Sequence, residues 1–332
     1  MMVKNKPSQK REYNLFNKSI KEEFLMGYSS DTRKTYIRIL DHTYEAEVAK
    51  NRDLYDFTKL EIEDVLFSLN PLTRSSSQSN GRIISAYINW TIEKKYRKNP
   101  INPLKTVDNS WFDKFVDKTK KLYFSYSELR NLENFCENAQ DAVILSLLFD
   151  GVSGKECYEL RSILKNSWNA VSKTLEVTDL NGSQRTVKLS DNSIKLLEEA
   201  SEETTYIKKN GYMVDVTNGE KSNLLDTPYV LRSSQTKDDK DDNEVHLSVI
   251  YRRLTNLSST LGAPYLTTKN ILRSGVIYWG YLLLEKKRKD HGSDATLEKA
   301  EFDILAKKFN IKNPYSIKEY CNEEIINELY GK

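Results

Sequence analysis

The chain is short of the residues on which most enzyme chemistry and most extracellular scaffolds depend. Among its 332 residues are three cysteines, three histidines, seven prolines and twelve glycines. Cys136, Cys157 and Cys321 are far apart and odd in number, which excludes a disulfide framework and the paired spacing of a zinc site. They read as reduced thiols of a cytoplasmic protein. No apolar run approaches the ~20 residues that span a bilayer. Met1 to Arg11 is basic and polar with no apolar segment, so secretion is not expected either. Scarce glycine and proline leave few interruptions and favour helix. Net charge is only +3, yet it is unevenly spread. Residues 1–121 carry 23 Lys and Arg against 16 Asp and Glu, and the remainder 28 against 32. A basic N-terminal part is the footprint of a module that meets a polyanion.

Helical periodicity begins near Asn17, with Ile20, Phe24 and Leu25 on one face. Ser29-Ser30-Asp31 then offers N-cap chemistry to a helix carrying Ile37, Leu40, Tyr44 and Val48. Thr58 and Glu61 form a capping box ahead of Ile62, Val65, Leu66 and Leu69. After Pro71, the polar stretch Thr73 to Arg82 opens a helix with Ile83, Ile84, Tyr87, Ile88 and Trp90. These make a small four-helix domain, closed by Lys94 to Pro100. From there to Lys121 the chain reads as a lysine-rich linker with interspersed aromatics.

A second domain opens on the capping box Ser125/Glu128, with Leu129, Leu132 and Phe135 expected inward. Asp141 to Phe149 is a buried helix, broken at Gly151–Gly154 and resumed over Glu156–Leu164. Thr174–Thr178 and Gln184–Leu189 read as strands joined through Asn181-Gly182, a strong hairpin signal. A helix over Ser193–Ala200 and a strand over Pro228–Arg232 follow. Lys237–Glu244 reads as a solvated loop. Further helices are expected at Leu247–Leu261, Leu272–Lys287, Leu297–Phe309 and Ser316–Leu329.

One octapeptide, Thr267 to Ser274, stands out. It runs from a polar approach through Lys269 and Arg273 into a long apolar helix. Helix N-termini favour anions through free N–H groups and the dipole, and these two cations lie one turn apart. An ordinary cap on a core helix is the competing reading.

Four basic helices, a short Asn-Pro link and a helical domain with a small hairpin sheet resemble the tyrosine recombinases, or phage integrases, over nearly the whole chain. The resemblance implies a mainly α, two-domain clamp. An N-terminal helical core-binding (SAM-like) domain would be followed by a helical catalytic-type domain with a small antiparallel β-sheet. On this frame residues 1–15 are a basic flexible arm, 16–100 core-binding-like, 101–122 a linker and 123–332 catalytic-like. The family uses two arginines, a hairpin lysine, two histidines (the second sometimes Trp) and a tyrosine nucleophile.

Its first arginine sits in a Gly-hydrophobic-Arg-x-x-Glu turn. Here that turn is Gly151 to Glu156, with Ser153 in the arginine's place. The hairpin turn offers Asp179, Asn181 and Ser183 but no lysine, while Arg185 fits the family's following arginine. The His-x-x-Arg box becomes Asn270 to Arg273, so the arginine is kept and the histidine is not. Ile311 replaces the second histidine or tryptophan, and Tyr320 stands at the nucleophile's distance beyond it. His42, His246 and His291 all lie outside these boxes.

A preorganised electrostatic contact contributes roughly 2.7–4 kcal/mol to such a transition state. Losing three would forfeit on the order of 8–12 kcal/mol if they added, and groups acting as a unit need not add. A phenol near its ordinary pKa of about 10 also needs surrounding cations to ionise.

The expected protein is therefore a catalytically inactive recombinase homologue, without cofactor or metal, that binds double-stranded DNA. The resemblance implies a sequence-specific transcriptional repressor of a temperate phage, holding operators in a bacterial cytoplasm to maintain lysogeny. A regulatory protein or peptide that triggers release belongs to this picture, with no residue pointing to its site. DNA contacts are expected from Arg33, Lys34, Arg74, Ser77, Asn80 and Arg82 in the first domain. Lys155, Arg161, Arg185, Lys269 and Arg273 are expected in the second, with Arg252 and Arg253 weaker. Two alternatives are a recombinase still using Tyr320 and a helical scaffold that binds no DNA.

Overall fold

The computed structural model describes residues 12–212, 219–235 and 244–331. Most of the expected basic arm and of the acidic loop therefore lie outside the described residues. The chain divides into two compact units, one ending at Lys120 and the other starting at Lys121.

The first unit holds α1 (Lys18–Met26), α2 (Ser30–His42), α3 (Tyr44–Lys50), α4 (Lys59–Ser68) and α5 (Arg74–Glu93). Thr58 and Glu61 close the capping box on α4, and the Thr73 hydroxyl caps α5 through the Ser76 N–H. The single helix expected through Tyr44 and Val48 is instead two. It breaks at Thr43, whose hydroxyl turns back to the Leu40 carbonyl at 2.9 Å. Val48 is consequently exposed.

The supposed linker is not a linker over most of its length. Leu104, Phe112 and Phe115 are buried in the same core as Phe24, Leu40, Ile84 and Tyr87. Gly81 makes room for this, because a Cβ there would lie 2.1 Å from the Phe112 ring.

Inside this core lie three charged groups. Lys21, Glu47 and Asp53 are all fully or almost fully buried. Lys21 pairs with Glu47. Glu47 also accepts from the Leu54 N–H at 2.7 Å and the Thr43 hydroxyl at 3.1 Å. Asp53 accepts from the Tyr87 hydroxyl at 3.0 Å and the Asn17 amide at 3.1 Å. One buried cation cannot neutralise two carboxylates. Burial pushes Glu47 up to about 7, against the pull of Lys21, and raises Asp53 in the same way.

The second unit contains α6 (Tyr126–Asn134), α7 (Ala139–Asp150), α8 (Tyr158–Arg161), α9 (Asp191–Glu202), α10 (Leu247–Thr260), α11 (Thr268–His291), α12 (Lys299–Lys308) and α13 (Glu323–Tyr330). β1 (Trp168–Asn169), β2 (Thr174–Thr178) and β3 (Gln184–Lys188) form an antiparallel sheet in that order, with Val177 opposite Arg185. A second ladder pairs β4 (Thr205–Ile207) with β5 (Lys221–Asn223). Apolar on all sides, α7 runs buried along its length. Such a helix belongs at the centre of a core.

Four local expectations fail in this unit. The helix expected over Glu156–Leu164 shrinks to α8. Phe135 is exposed beyond the end of α6. Residues 228–232 form no strand, contributing only a bridge between Leu164 and Tyr229. The last expected helix is split into a 3-10 turn at Pro314–Glu319 and α13, leaving Tyr320 between them.

The buried triad predicts a pH dependence. Glu47 keeps its proton in the folded state to about pH 7, whereas its ordinary value is 4.5. Folding is thus favoured by protonation, and the first unit's stability should fall as pH rises through that window and level off above it. Glu47→Gln removes this titration while Asp53 stays in the field of Lys21, and should flatten the profile. Hydrogen exchange of α1 and α5 against pH checks this; an equally steep profile in the Glu47→Gln variant would refute it.

Candidate nucleic-acid interface

The start of α11 is built as the octapeptide suggested. Tyr265 adopts a left-handed conformation (φ +68°) that turns the chain into the helix. The Thr267 hydroxyl then caps it through the Asn270 N–H at 3.2 Å. Asn270, standing for the family's histidine, spends its side-chain amide on the Tyr265 carbonyl at 2.9 Å. It serves the turn.

Arg273 follows one helical step later, half-buried. Its guanidinium lies 4.3 Å from the centre of the Tyr320 ring and donates to the Tyr123 hydroxyl at 3.4 Å. Lys269 is exposed one turn earlier. The neighbouring Arg273 charge, aided by burial and opposed by Glu319, depresses its ammonium pKa. Among the described residues, neither cation has a carboxylate within ion-pairing distance. Tyr320 is only 5% exposed. Burial raises its phenol well above the ordinary value despite Arg273, so the group is held neutral.

Around the turn after α7 the cations behave differently. Gly151 is left-handed (φ +104°), and Ser153 donates its N–H to Glu159 at 3.0 Å. Glu156, the expected carboxylate of this turn, has φ +56° and points outward, exposed. Glu159 is the one turned in, 1% exposed. Its two oxygens each take a hydrogen bond of 2.6 Å from Arg185. The same guanidinium also donates to the carbonyls of Gly151 at 2.7 Å and Lys308 at 3.1 Å. Arg185 is therefore a structural tie, not a phosphate contact.

Arg161 is likewise consumed inside, donating to the carbonyls of Val245 at 2.9 Å and Glu156 at 3.2 Å. Arg253 is buried beside Asp141 and donates to the Arg232 carbonyl at 2.7 Å. Lys155 remains exposed, its own N–H held by Asp179 at 2.7 Å. Ile311 packs as a partly buried apolar side chain against the cluster around Phe309.

In the first unit, Ser77 and Asn80 turn inward. The Ser77 hydroxyl donates to the Phe112 carbonyl at 2.8 Å, and Asn80 is 8% exposed. A helix face shared with Gly81 packs on the aromatic segment, so these two are removed from the surface. Arg74 is exposed but paired with Asp113 at 2.7 Å, and Lys34 with Asp31 at 3.1 Å. Arg33 and Arg82 are exposed.

Three contributors escaped the sequence reading. Tyr123 lay in the supposed linker's shadow, and Glu159 lies three residues past the expected glutamate. Lys308, half-buried over the Trp279 ring at 4.1 Å, looked like an ordinary cation at a helix C-terminus.

A helical first unit and a helical second unit with a small antiparallel sheet have the make-up of a tyrosine recombinase's core-binding and catalytic domains. Residues 15–93 match the family model described as "MrpR, N-terminal core-binding domain", and residues 123–331 match "MrpR, C-terminal catalytic domain". The chain belongs to the MrpR family. It is 30% identical over 322 residues to the SPbeta prophage-derived uncharacterized protein YopR of Bacillus subtilis (strain 168), covering 96% of this chain and 97% of that one. Among solved structures it is similar to XerA recombinase, with 13% identity, a TM-score of 0.40 and coverage of 95% and 96% of the two chains. It is also similar to a lambda integrase dimer bound to a COC' core site, with 10% identity, a TM-score of 0.48 and coverage of 93% and 76%.

The Glu159–Arg185 tie gives a direct expectation. Removing one partner of a buried, hydrogen-bonded ion pair costs about 3–5 kcal/mol. Glu159→Ala should destabilise the second unit by that order in chemical denaturation; a loss below about 1 kcal/mol would mean that the pair behaves like a surface ion pair.

Proposed function

We propose that this protein is a double-stranded-DNA-binding transcriptional repressor of a prophage. In this reading it holds operator DNA with a recombinase fold that no longer cuts, and so maintains lysogeny. The observation carrying the proposal is the contrast between Arg273 and its surroundings. Among the described residues, one arginine of the expected pair has no carboxylate within ion-pairing distance and lies near a helix start, a setting suited to phosphate. Ser153 replaces another, and Arg185 is neutralised by Glu159. A phosphate can be held with one guanidinium, Lys269 and backbone N–H groups. Cleavage asks for charge stabilisation that these groups do not supply, and for an ionised Tyr320 that burial opposes.

The first unit's share of the interface is proposed at Arg33, Lys34, Arg74 and Arg82, and the second unit's at Lys155, Lys269 and Arg273. Family membership and the prophage-derived relative support a phage regulator. The basic balance of the first 121 residues supports a polyanion as its partner.

Gel retardation with genomic fragments tests the reading. Affinity should fall steeply with salt, by roughly 10³–10⁵ between about 50 and 200 mM if six to ten phosphates are neutralised. A flat response would remove the interface. Arg273→Ala should weaken binding and lower the salt slope by about one while the circular dichroism spectrum is kept. A nicked suicide duplex should yield no covalent adduct. An adduct that disappears in Tyr320→Phe would establish a recombinase instead.

A further inference from the structure

Arg273 lies between two tyrosines from distant parts of the chain. Tyr320 offers its ring face; Tyr123 offers its hydroxyl. Tyr123 follows the boundary between the units by only a few residues, and it is 8% exposed among Val276, Ile277, Phe309 and Tyr320. Its neighbours are fastened down. The Phe124 N–H donates to the Ser274 hydroxyl at 2.9 Å, and that hydroxyl donates to the Asn270 carbonyl at 2.7 Å. The Tyr126 N–H donates to the Tyr330 hydroxyl at 3.0 Å. This registers residues 123–126 against α11 and α13, beside the two cations.

A long guanidinium without a counter-ion keeps its rotamer freedom unless something fixes its plane. Among the described residues, the Tyr123 hydroxyl is the hydrogen-bond acceptor of the Arg273 guanidinium. The remaining N–H groups stay open to an anion.

We propose that Tyr123 is a positioning residue of the anion site, holding the Arg273 guanidinium edge-on to a DNA phosphate. The proposal rests on the DNA-binding reading. Accepting from Nη1, the Tyr123 hydroxyl acts through the arginine, whose other N–H groups meet the phosphate. A buried tyrosine hydroxyl that merely seeks a partner would fill the same space, and the two roles differ in coupling.

The test is a double-mutant cycle of Tyr123→Phe and Arg273→Ala on a short random-sequence duplex at low salt. Tyr123→Phe should cost about 3–10-fold in affinity, the scale of one hydrogen bond, with an unchanged unfolding midpoint. It should cost nothing further in the Arg273→Ala background. Equal losses in both backgrounds, or no loss in the first, overturn the proposal while leaving DNA binding intact. A wild type that binds no duplex overturns the DNA-binding reading and this inference with it. Nitrogen-15 NMR of the free wild-type protein supplies a readout independent of both binding and variant folding. The Arg273 Nη signals should show hindered rotation, and a freely averaged signal overturns the proposal.

Discussion

The second unit depends on how closely α7 and α11 approach each other. Gly275 lies so near the end of α7 that a Cβ would sit 2.0 Å from the Phe149 carbonyl oxygen. No rotamer change relieves a clash with backbone, so only glycine permits this crossing. The contact joins the two parts of the site. Arg273 stands two residues before the glycine, and the Gly151 turn begins two residues after Phe149. The Cys157 thiol marks the junction. It is buried there, and burial raises its pKa. The helix start with its two cations and the turn that begins at Gly151 are thereby held as one structure.

Within that structure, arginines divide by what satisfies them. Arg161, Arg185, Arg232 and Arg253 donate to backbone carbonyls, with Glu159 and Asp141 supplying negative charge to Arg185 and Arg253. Five donors in a rigid fork suit this role, because one guanidinium can tie several chain segments together. The cost is that a satisfied, neutralised cation has little left for a ligand. Arg273 has one long hydrogen bond and a ring face, and Lys269 beside it is depressed by the shared positive field. An anion would relieve that repulsion. Electrostatics thus separates the satisfied arginines from the one left without a counter-ion where residue type alone does not.

This is also where the sequence stopped being informative. Signals confined to a few adjacent residues were legible: the capping boxes at Thr58/Glu61 and Ser125/Glu128, the Thr267 cap and the Asn181-Gly182 hairpin all formed. Even there the hairpin closes through a longer loop, with the Asp179 N–H bonded to the Ser183 carbonyl at 2.8 Å. Non-local outcomes were hidden. Trp111, Phe112 and Phe115 are spaced like one face of a helical turn, but nothing in the string reveals that Phe112 seats on Gly81. Ser77 and Asn80 looked like surface readers because polar residues at a helix start usually are. Glu156 and Glu159 are equivalent as letters, and only the left-handed backbone at Glu156 and Cys157 decides which one turns inward. Lys21 did carry a signal, sharing the helical face of Phe24 and Leu25 one turn away.

Tyr320 stands at a family-like spacing, yet its surroundings are not those of an activated phenol. To act as a nucleophile, a phenol needs positive charge near its oxygen, where the phenolate forms. Here the guanidinium sits over the ring, 4.3 Å from its centroid, an arrangement that favours the neutral aromatic's quadrupole. Burial holds the hydroxyl neutral, outweighing the opposite pull of the Arg273 charge. The tyrosine thus gives Arg273 a flat, apolar surface to lie on, and Tyr123 fixes its edge. On the reading proposed above, the tyrosine serves the arginine as a platform, which suits a site that grips a phosphate and leaves it whole.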